Sequence, residues 1–470
     1  MDPAPSINTV TSSQGRLPLL SDAEIGVAPV GGTNAQPKPA TRGASVASVA
    51  FVLLNTALGS GILGLPGAFA KAGMIGGIAL LIVTSILAVF TVHLLCEVAD
   101  RVGRPASFFS VSKAAAGAQA GVLIDLLLAI NAFGCSTSYL IVVGDVLPEV
   151  SESFGAPGLL TGKMGRNFWM LISLAVGAPL AYLRDLSALS VTAYVAFLCV
   201  VYISAVVGIF AIFPSQFDPC SPVNASIGDD EGCRGAVKSL TTIPTALDAM
   251  PIFIFAYTTN QNAISITNEL VRPTSRRILA ATCLAMVLAL SLYLLTGIGG
   301  YSTYGDKVNS DILKSYPDSA TLPIIARIAI AFVVTTCYPM QIHPGRNSLM
   351  SIMSRYGPSG CIRALGGEQG TLLLIIATSL LVAGSIVVAL LVKSLGVMLT
   401  IIGSICSTSV SFIVPGGCYV LLFKERGWTC KRMLALLILL LGCIIAPLCL
   451  VLTFLPMGKN ADDDLLWMWV

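Results

Sequence analysis

Eleven stretches of this chain are apolar for long enough to cross a membrane, and nothing else in the sequence restricts its fold as strongly. Crossing ~30 Å of hydrocarbon takes about 20 apolar residues in a helix. Such runs occupy 44–71, 74–98, 119–147, 167–183, 187–213, 241–268, 278–301, 320–342, 371–392, 395–423 and 431–455. Hydrophobic residues make up 55% of the 470 and charged residues 11%. A soluble domain carries about 25% charged residues, so this chain cannot cover a water-facing surface. The expectation is an all-α polytopic membrane protein surrounded by lipid. A net charge of +3 carries no sign of nucleic-acid binding.

The flanking segments have a different character. Residues 1–43 are rich in Pro, Gly, Ser, Thr and Ala, bury too little apolar surface to offset ordering entropy, and read as a disordered tail. No signal-peptide core precedes residue 44, so the first span is expected to act as its own insertion signal. With this tail in the cytosol, the inner segments hold 17 Lys and Arg and the outer segments 9, the asymmetry that cytosolic loops show. An odd number of spans then places 456–470 outside, where the acidic dileucine pattern Asp462-x-x-Leu465-Leu466 is out of reach of cytosolic adaptors. The 214–240 loop also falls outside and carries Cys220, Cys233 and the sequon at Asn224. An oxidising compartment suits all three, so a Cys220–Cys233 disulfide and glycosylation of Asn224 are expected.

Span 1 contains NTALGSGILGLPGAFAKAG, residues 55–73. Glycine and proline cost a helix interior about 1 and about 3 kcal/mol relative to alanine. Unwound chain at membrane depth is tolerated only where protein or a water-filled cavity surrounds it. A turn at Gly59-Ser60-Gly61 would present N–H groups at the start of one half-helix, suited to a carboxylate. It would also present carbonyls at the end of the other, suited to a cation. Small residues four apart also serve as a helix-packing face. Span 6 weighs against that reading alone, because Tyr257-Thr258-Thr259-Asn260-Gln261-Asn262 places six polar or amphipathic residues in succession at bilayer depth. Burying them against lipid would cost several kcal/mol. Interruptions five spans apart are the spacing of a five-plus-five inverted repeat, which brings both breaks to one site near the midplane.

These residues resemble the amino acid/auxin permease family, in its branch of sodium-coupled neutral amino acid transporters and vacuolar amino acid exporters. The likeness rests on Asn55-x-x-x-Gly59-Ser60-Gly61-Ile62-Leu63-Gly64-Leu65-Pro66 and on Ser138-Tyr139 with Gly144-Asp145. It continues through Asn260-Gln261-Asn262, Asn268-Glu269-Leu270, and Arg327, Pro339, Pro344 and Arg346, within 44–455. It implies a leucine-transporter-type core of eleven spans: repeats 44–213 and 241–423 with an extra helix at 431–455. The expected setting is a plasma or vacuolar/lysosomal membrane, with the chain a monomer. On the same likeness, Gly59, Ser60 and Gly61, flanked by Thr56 and Ile62, would hold a substrate's α-carboxylate, and Tyr257, Thr258, Thr259 and Asn260 its amino group and side chain. A coupling cation would lie at Asn55 and Leu58, with Thr335 and Thr336 the nearest hydroxyls of span 8. Relatives carrying Cys-His in span 6 differ from this chain, which has Thr259-Asn260 there.

Ionisable residues within spans are functional candidates by default: His93, Asp125, Asp145, Asp248, Glu269 and Arg327. Arg327 is expected to find a carboxylate and to serve a gate or a structural pair. His343, at the end of span 8, reads as packing. No metal, acyl-transfer or Ser/His/Asp grouping is present, so enzymatic chemistry and organic cofactors are not expected. The expected function is secondary active transport of neutral amino acids by alternating access, coupled to sodium or protons. The alternative is an amino acid sensor of the same fold.

Overall fold

The computed structural model describes residues 44–183, 190–214, 217, 219–220, 233–318, 320–357 and 370–454. The expected tail 1–43, the sequon at Asn224 and the segment 456–470 lie outside the described residues.

Span 1 forms as two helices, α1 (Val46–Ala57) and α2 (Gly61–Ala72), bent by 60° across their break. The Ser45 hydroxyl starts α1 by accepting from Ser48 N at 3.1 Å, satisfying one of the donors a helix start leaves open. Then follow α3 (Met74–Val102), α4 (Phe108–Ala116), α5 (Ala118–Ser153), α6 (Gly162–Ala181) and α7 (Ser190–Ile212). The second half opens with another interrupted pair, α8 (Ile243–Ala256) and α9 (Asn260–Asn268), followed by α10 (Ser275–Tyr304), α11 (Thr321–Tyr356) and α12 (Thr371–Leu391). Span 10 comprises α13 (Leu395–Ile402), π-helical turns at 403–407 and 409–413, and α14 (Val414–Leu422). The last helix is α15 (Cys430–Phe454).

Among the described residues, eight helices are long and apolar enough to cross a membrane, or nine with the bent pair counted as one. The expectation of eleven is met only in that coarser form. Helix α6 opens with Lys163 and Arg166, and the α8–α9 pair is polar around its break.

The 36-residue helices α5 and α11 pack against each other more extensively than any other two described elements, and α10 packs on both halves of span 1. Leu53, Ile62, Phe253, Tyr293 and Val334 are fully buried. Ile86, Leu198, Leu391 and Ile444 stand exposed, as side chains facing lipid must. Ala44 N donates to Glu269 O (2.9 Å) and Val271 N to Ala44 O (3.1 Å), joining the start of α1 to the end of α9.

The expected ionisable residues are mostly taken up by partners. Asp145 meets Arg166 (3.5 Å) and Lys314 (3.8 Å), Asp248 meets Lys71 (2.6 Å), and Asp125 accepts from Ser351 (2.8 Å). His93 lies 3.1 Å from Glu97. Arg327, with no exposed surface, pairs with Glu149 of α5 (3.0 Å) and Asp318 (2.9 Å). The disulfide expected between Cys220 and Cys233 is present, its Cα atoms 5.5 Å apart.

Candidate functional site

Residues from both breaks line one small cleft: Thr56, Ala57, Gly59, Ser60 and Gly61 from span 1, and Phe255, Thr258 and Gln261 from span 6. Cys135 and Tyr139 of α5 and Gln341 of α11 complete the wall. Helix α1 stops because Leu58 turns to φ −76°, ψ 86°, and α2 restarts at Gly61. The first turn of α2 bonds back into the break, Ile62 N to Gly59 O (3.4 Å) and Leu63 N to Ser60 O (3.2 Å), and carries the positive end of the helix dipole. Ser60 Oγ is held by Ser138 Oγ at 2.7 Å. A Cβ at Gly59 would strike the Tyr139 ring and hydroxyl, and one at Gly61 would come within 3.1 Å of Ala256 Cα. The glycines are required because the two broken spans and α5 converge here.

The break in span 6 is shorter than the polar run that marks it. It covers Tyr257–Thr259, and Asn260 already begins α9. Thr258 Oγ1 folds back onto Ile254 O (2.9 Å). Asn260 Nδ2 donates to Thr91 Oγ1 and Ser411 O, both at 3.1 Å, turning away from the cleft toward α3 and span 10. Thr259 Oγ1 and Asn260 Oδ1 are buried without a partner. Thus Thr56, Gly59, Ser60, Gly61 and Thr258 meet at the cleft as expected, whereas Ile62, Tyr257, Thr259 and Asn260 are not among its lining residues.

Tyr293 of α10 ties the breaks together. Its hydroxyl donates to Ala57 O (2.7 Å) and Ala256 O (2.8 Å), the last residues of α1 and α8, and its ring packs edge-on against Tyr257 at 5.2 Å. Sequence reasoning missed it, as it missed Asn131 behind the cleft and Gln341 in its wall. Asn131 Nδ2 donates to Gln261 Oε1 (2.5 Å), Gln261 Nε2 to Gln341 Oε1 (2.7 Å), and Gln341 Nε2 to Tyr139 Oη (3.1 Å). Single amides inside otherwise apolar runs, such as Ile130-Asn131-Ala132 and Met340-Gln341-Ile342, were the available signal.

The expected cation ligands do not assemble. Asn55 Oδ1 is buried and unpartnered, which suits a cation. Its Nδ2, however, points at sulfur: Met340 Sδ at 3.5 Å and Cys337 Sγ at 4.0 Å. Thr335 Oγ1 is bonded to Ser173 of α6 (2.8 Å), and Thr336 Oγ1 folds back onto Phe332 O and Val333 O. Both span-8 hydroxyls are thus engaged elsewhere, because the helical phase of α11 presents Cys337 and Met340 to Asn55. Leu58 keeps its place at the break.

The family model described as transmembrane amino acid transporter protein matches residues 42–456. The chain is 30% identical over 417 residues to vacuolar amino acid transporter 6 of Saccharomyces cerevisiae, covering 79% of this chain and 89% of the relative. It is 31% identical over 373 residues to vacuolar amino acid transporter 5 of Schizosaccharomyces pombe, covering 78% and 82%. With sodium-coupled neutral amino acid transporter 7 of Bos taurus it shares 25% identity, covering 87% and 86%.

Proposed function

The chain belongs to the transmembrane amino acid transporter family, and from that premise we propose that it is a secondary active carrier of neutral amino acids working by alternating access. The observation that carries this reading is the single cleft lined by both broken spans. The ligand's carboxylate would sit at the start of α2, facing the positive end of its dipole. Its ammonium group would face the carbonyl end of α8. Among the described residues, no Asp, Glu, Lys or Arg lines the cleft, and a charged ligand side chain would need a buried partner, so neutral substrates are favoured.

In this reading α6 and the α8–α9 pair also cross the bilayer, giving eleven spans in two inverted repeats related through the breaks at 58–60 and 257–259. The N-terminus is cytosolic, and the face bearing Cys220–Cys233 is luminal or extracellular. The names of the yeast relatives support a vacuolar or lysosomal membrane. A proton is favoured over sodium as coupling ion, because sodium takes oxygen ligands and the side chains presented to Asn55 by α11 are sulfur.

The test is uptake of a labelled amino acid panel into proteoliposomes, with sodium and pH varied independently. Saturable uptake of neutral amino acids is expected, dependent on a pH gradient and indifferent to replacing sodium with choline. Gly61→Val is expected to abolish binding at near-normal expression, since even a Cβ there crowds Ala256. Saturable binding without flux would identify a sensor instead, and wild-type flux in Gly61→Val would remove the break from the mechanism.

A further inference from the structure

Polar groups in and behind the cleft wall form a chain whose hydrogen bonds all run in one direction. Ser407, in the π-helical part of span 10, donates to Asn131 Oδ1 at 3.0 Å. Asn131 donates to Gln261, Gln261 to Gln341, and Gln341 to Tyr139, joining α5, α9 and α11. All five residues are at most 5% exposed. A carboxamide offers oxygen on one side and nitrogen on the other, so the orientation of each amide dictates that of the next. Among the described residues, the Tyr139 hydroxyl makes this one hydrogen bond, as acceptor. Its own proton is therefore unused, and Tyr139 lines the cleft at Gly59. Hydrogen bonds in series also polarise one another, strengthening the terminal donor.

We propose that Ser407, Asn131, Gln261 and Gln341 are positioning residues that hold the Tyr139 hydroxyl as a donor toward the carboxylate of the bound amino acid. This rests on the reading that the carboxylate sits at the break in span 1. The arrangement also makes the donor conditional on helix register. Movement of span 10 away from α5 breaks the first bond, and displacement of α9 from α11 breaks the third. The carboxylate then loses its side-chain donor as the bundle rearranges.

Asn131→Asp tests the directionality from a residue that does not line the cleft. Ionised aspartate has no donor, so Gln261 then turns its nitrogen toward it and its oxygen toward Gln341. Gln341 then turns its nitrogen to Gln261 and its oxygen to Tyr139, drawing the hydroxyl proton out of the cleft. Gln341→Met reaches the same end without adding charge, and Tyr139→Phe deletes the donor. The readout is inhibition of labelled neutral amino acid uptake by the free amino acid and by its methyl ester, with the full chain in proteoliposomes. Each variant is expected to weaken the free acid by about ten- to a hundredfold, the value of a hydrogen bond to a charged group. The ester should change little, and Asn131→Asp/Tyr139→Phe should be no weaker than Tyr139→Phe alone. A wild-type acid-to-ester ratio in Asn131→Asp and Gln341→Met, with a reduced ratio in Tyr139→Phe, would overturn the relay and leave the carboxylate site standing. Multiplying effects in the double variant would overturn it equally. An unchanged ratio in Tyr139→Phe would remove the donor itself, leaving Gly61→Val to decide whether the break binds a carboxylate.

Discussion

Tyr293 shows how one side chain can hold two interrupted helices. A helix end leaves carbonyls without intrahelical partners, and here Ala57 O and Ala256 O share one phenolic proton. Tyr293→Phe keeps the ring against Tyr257 and removes only that proton. An unpaired buried carbonyl costs about 1–3 kcal/mol, so purified Tyr293→Phe is expected to melt measurably lower than wild type at equal ligand-free conditions. An unchanged melting temperature would mean that water replaces the hydroxyl. Nothing in LSLYLLTG, the sequence around Tyr293, distinguishes it from a tyrosine packed for its ring alone. Gly59 is the opposite case. Its glycine was legible as a break, while the reason no side chain is allowed, the Tyr139 ring against it, lies 80 residues away in the chain.

At the scale of elements, Arg327 binds helix α11 to its surroundings. Besides Glu149 and Asp318, its guanidinium donates to Leu313 O (3.0 Å) and Tyr316 O (2.8 Å), so α5, α11 and the connection before α11 meet on one group. Removing one member of a buried pair costs on the order of 3 kcal/mol by stranding the other. Part of that is relieved here because Asp318 is more than half exposed. Arg327→Met is expected to reduce the yield of monodisperse protein sharply. Arg327→Lys should rescue it poorly, because a single ammonium cannot reproduce the Nη2 contacts to Leu313 O, Tyr316 O and Asp318 together with the Nε approach to Glu149. Full recovery with lysine, by size-exclusion profile, would show that charge alone suffices. That an arginine seven residues into an apolar run requires carboxylates could be read from insertion cost. Their identity could not, since Glu149 and Asp318 belong to segments that only packing brings near.

For the molecule as a whole, the connection 305–318 lies against α2, with Ser310 Cα 3.5 Å from where a Cβ on Gly67 would be. Within it Asp311 is fully buried, accepts from Leu313 N at 3.0 Å and leaves Oδ2 unpartnered. Burial first, and the charge of Asp145 second, raise its carboxyl from 3.8 to about 7, against the opposing pull of Lys314 and Arg327. An acid raised by burial favours the packed arrangement while protonated. That contribution is complete below the ordinary carboxyl range and is lost as pH climbs through about 7. Because only the thiolate reacts, labelling rates of Ser310→Cys are taken relative to a free thiol at the same pH. These relative rates are therefore expected to be lower at pH 5 than at pH 8, and Asp311→Asn should erase the difference. Equal relative rates in the otherwise native chain would show that Asp311 does not govern this packing.

Length and composition alone determined the membrane class and the helical build, because satisfying the backbone in hydrocarbon leaves so few structures. Glycine, proline and clustered polar residues likewise marked both interruptions, since helix propensity is a local property. Tertiary structure decided which side chains face the cleft, why Thr335 turns to Ser173 while Cys337 and Met340 turn to Asn55, and how Asn131 and Gln341 come to act together. The reason is physical. In water, an apolar stripe tells which side of a helix is buried, but lipid is as apolar as a protein core. The rotation of each helix about its axis is therefore left to packing against its neighbours.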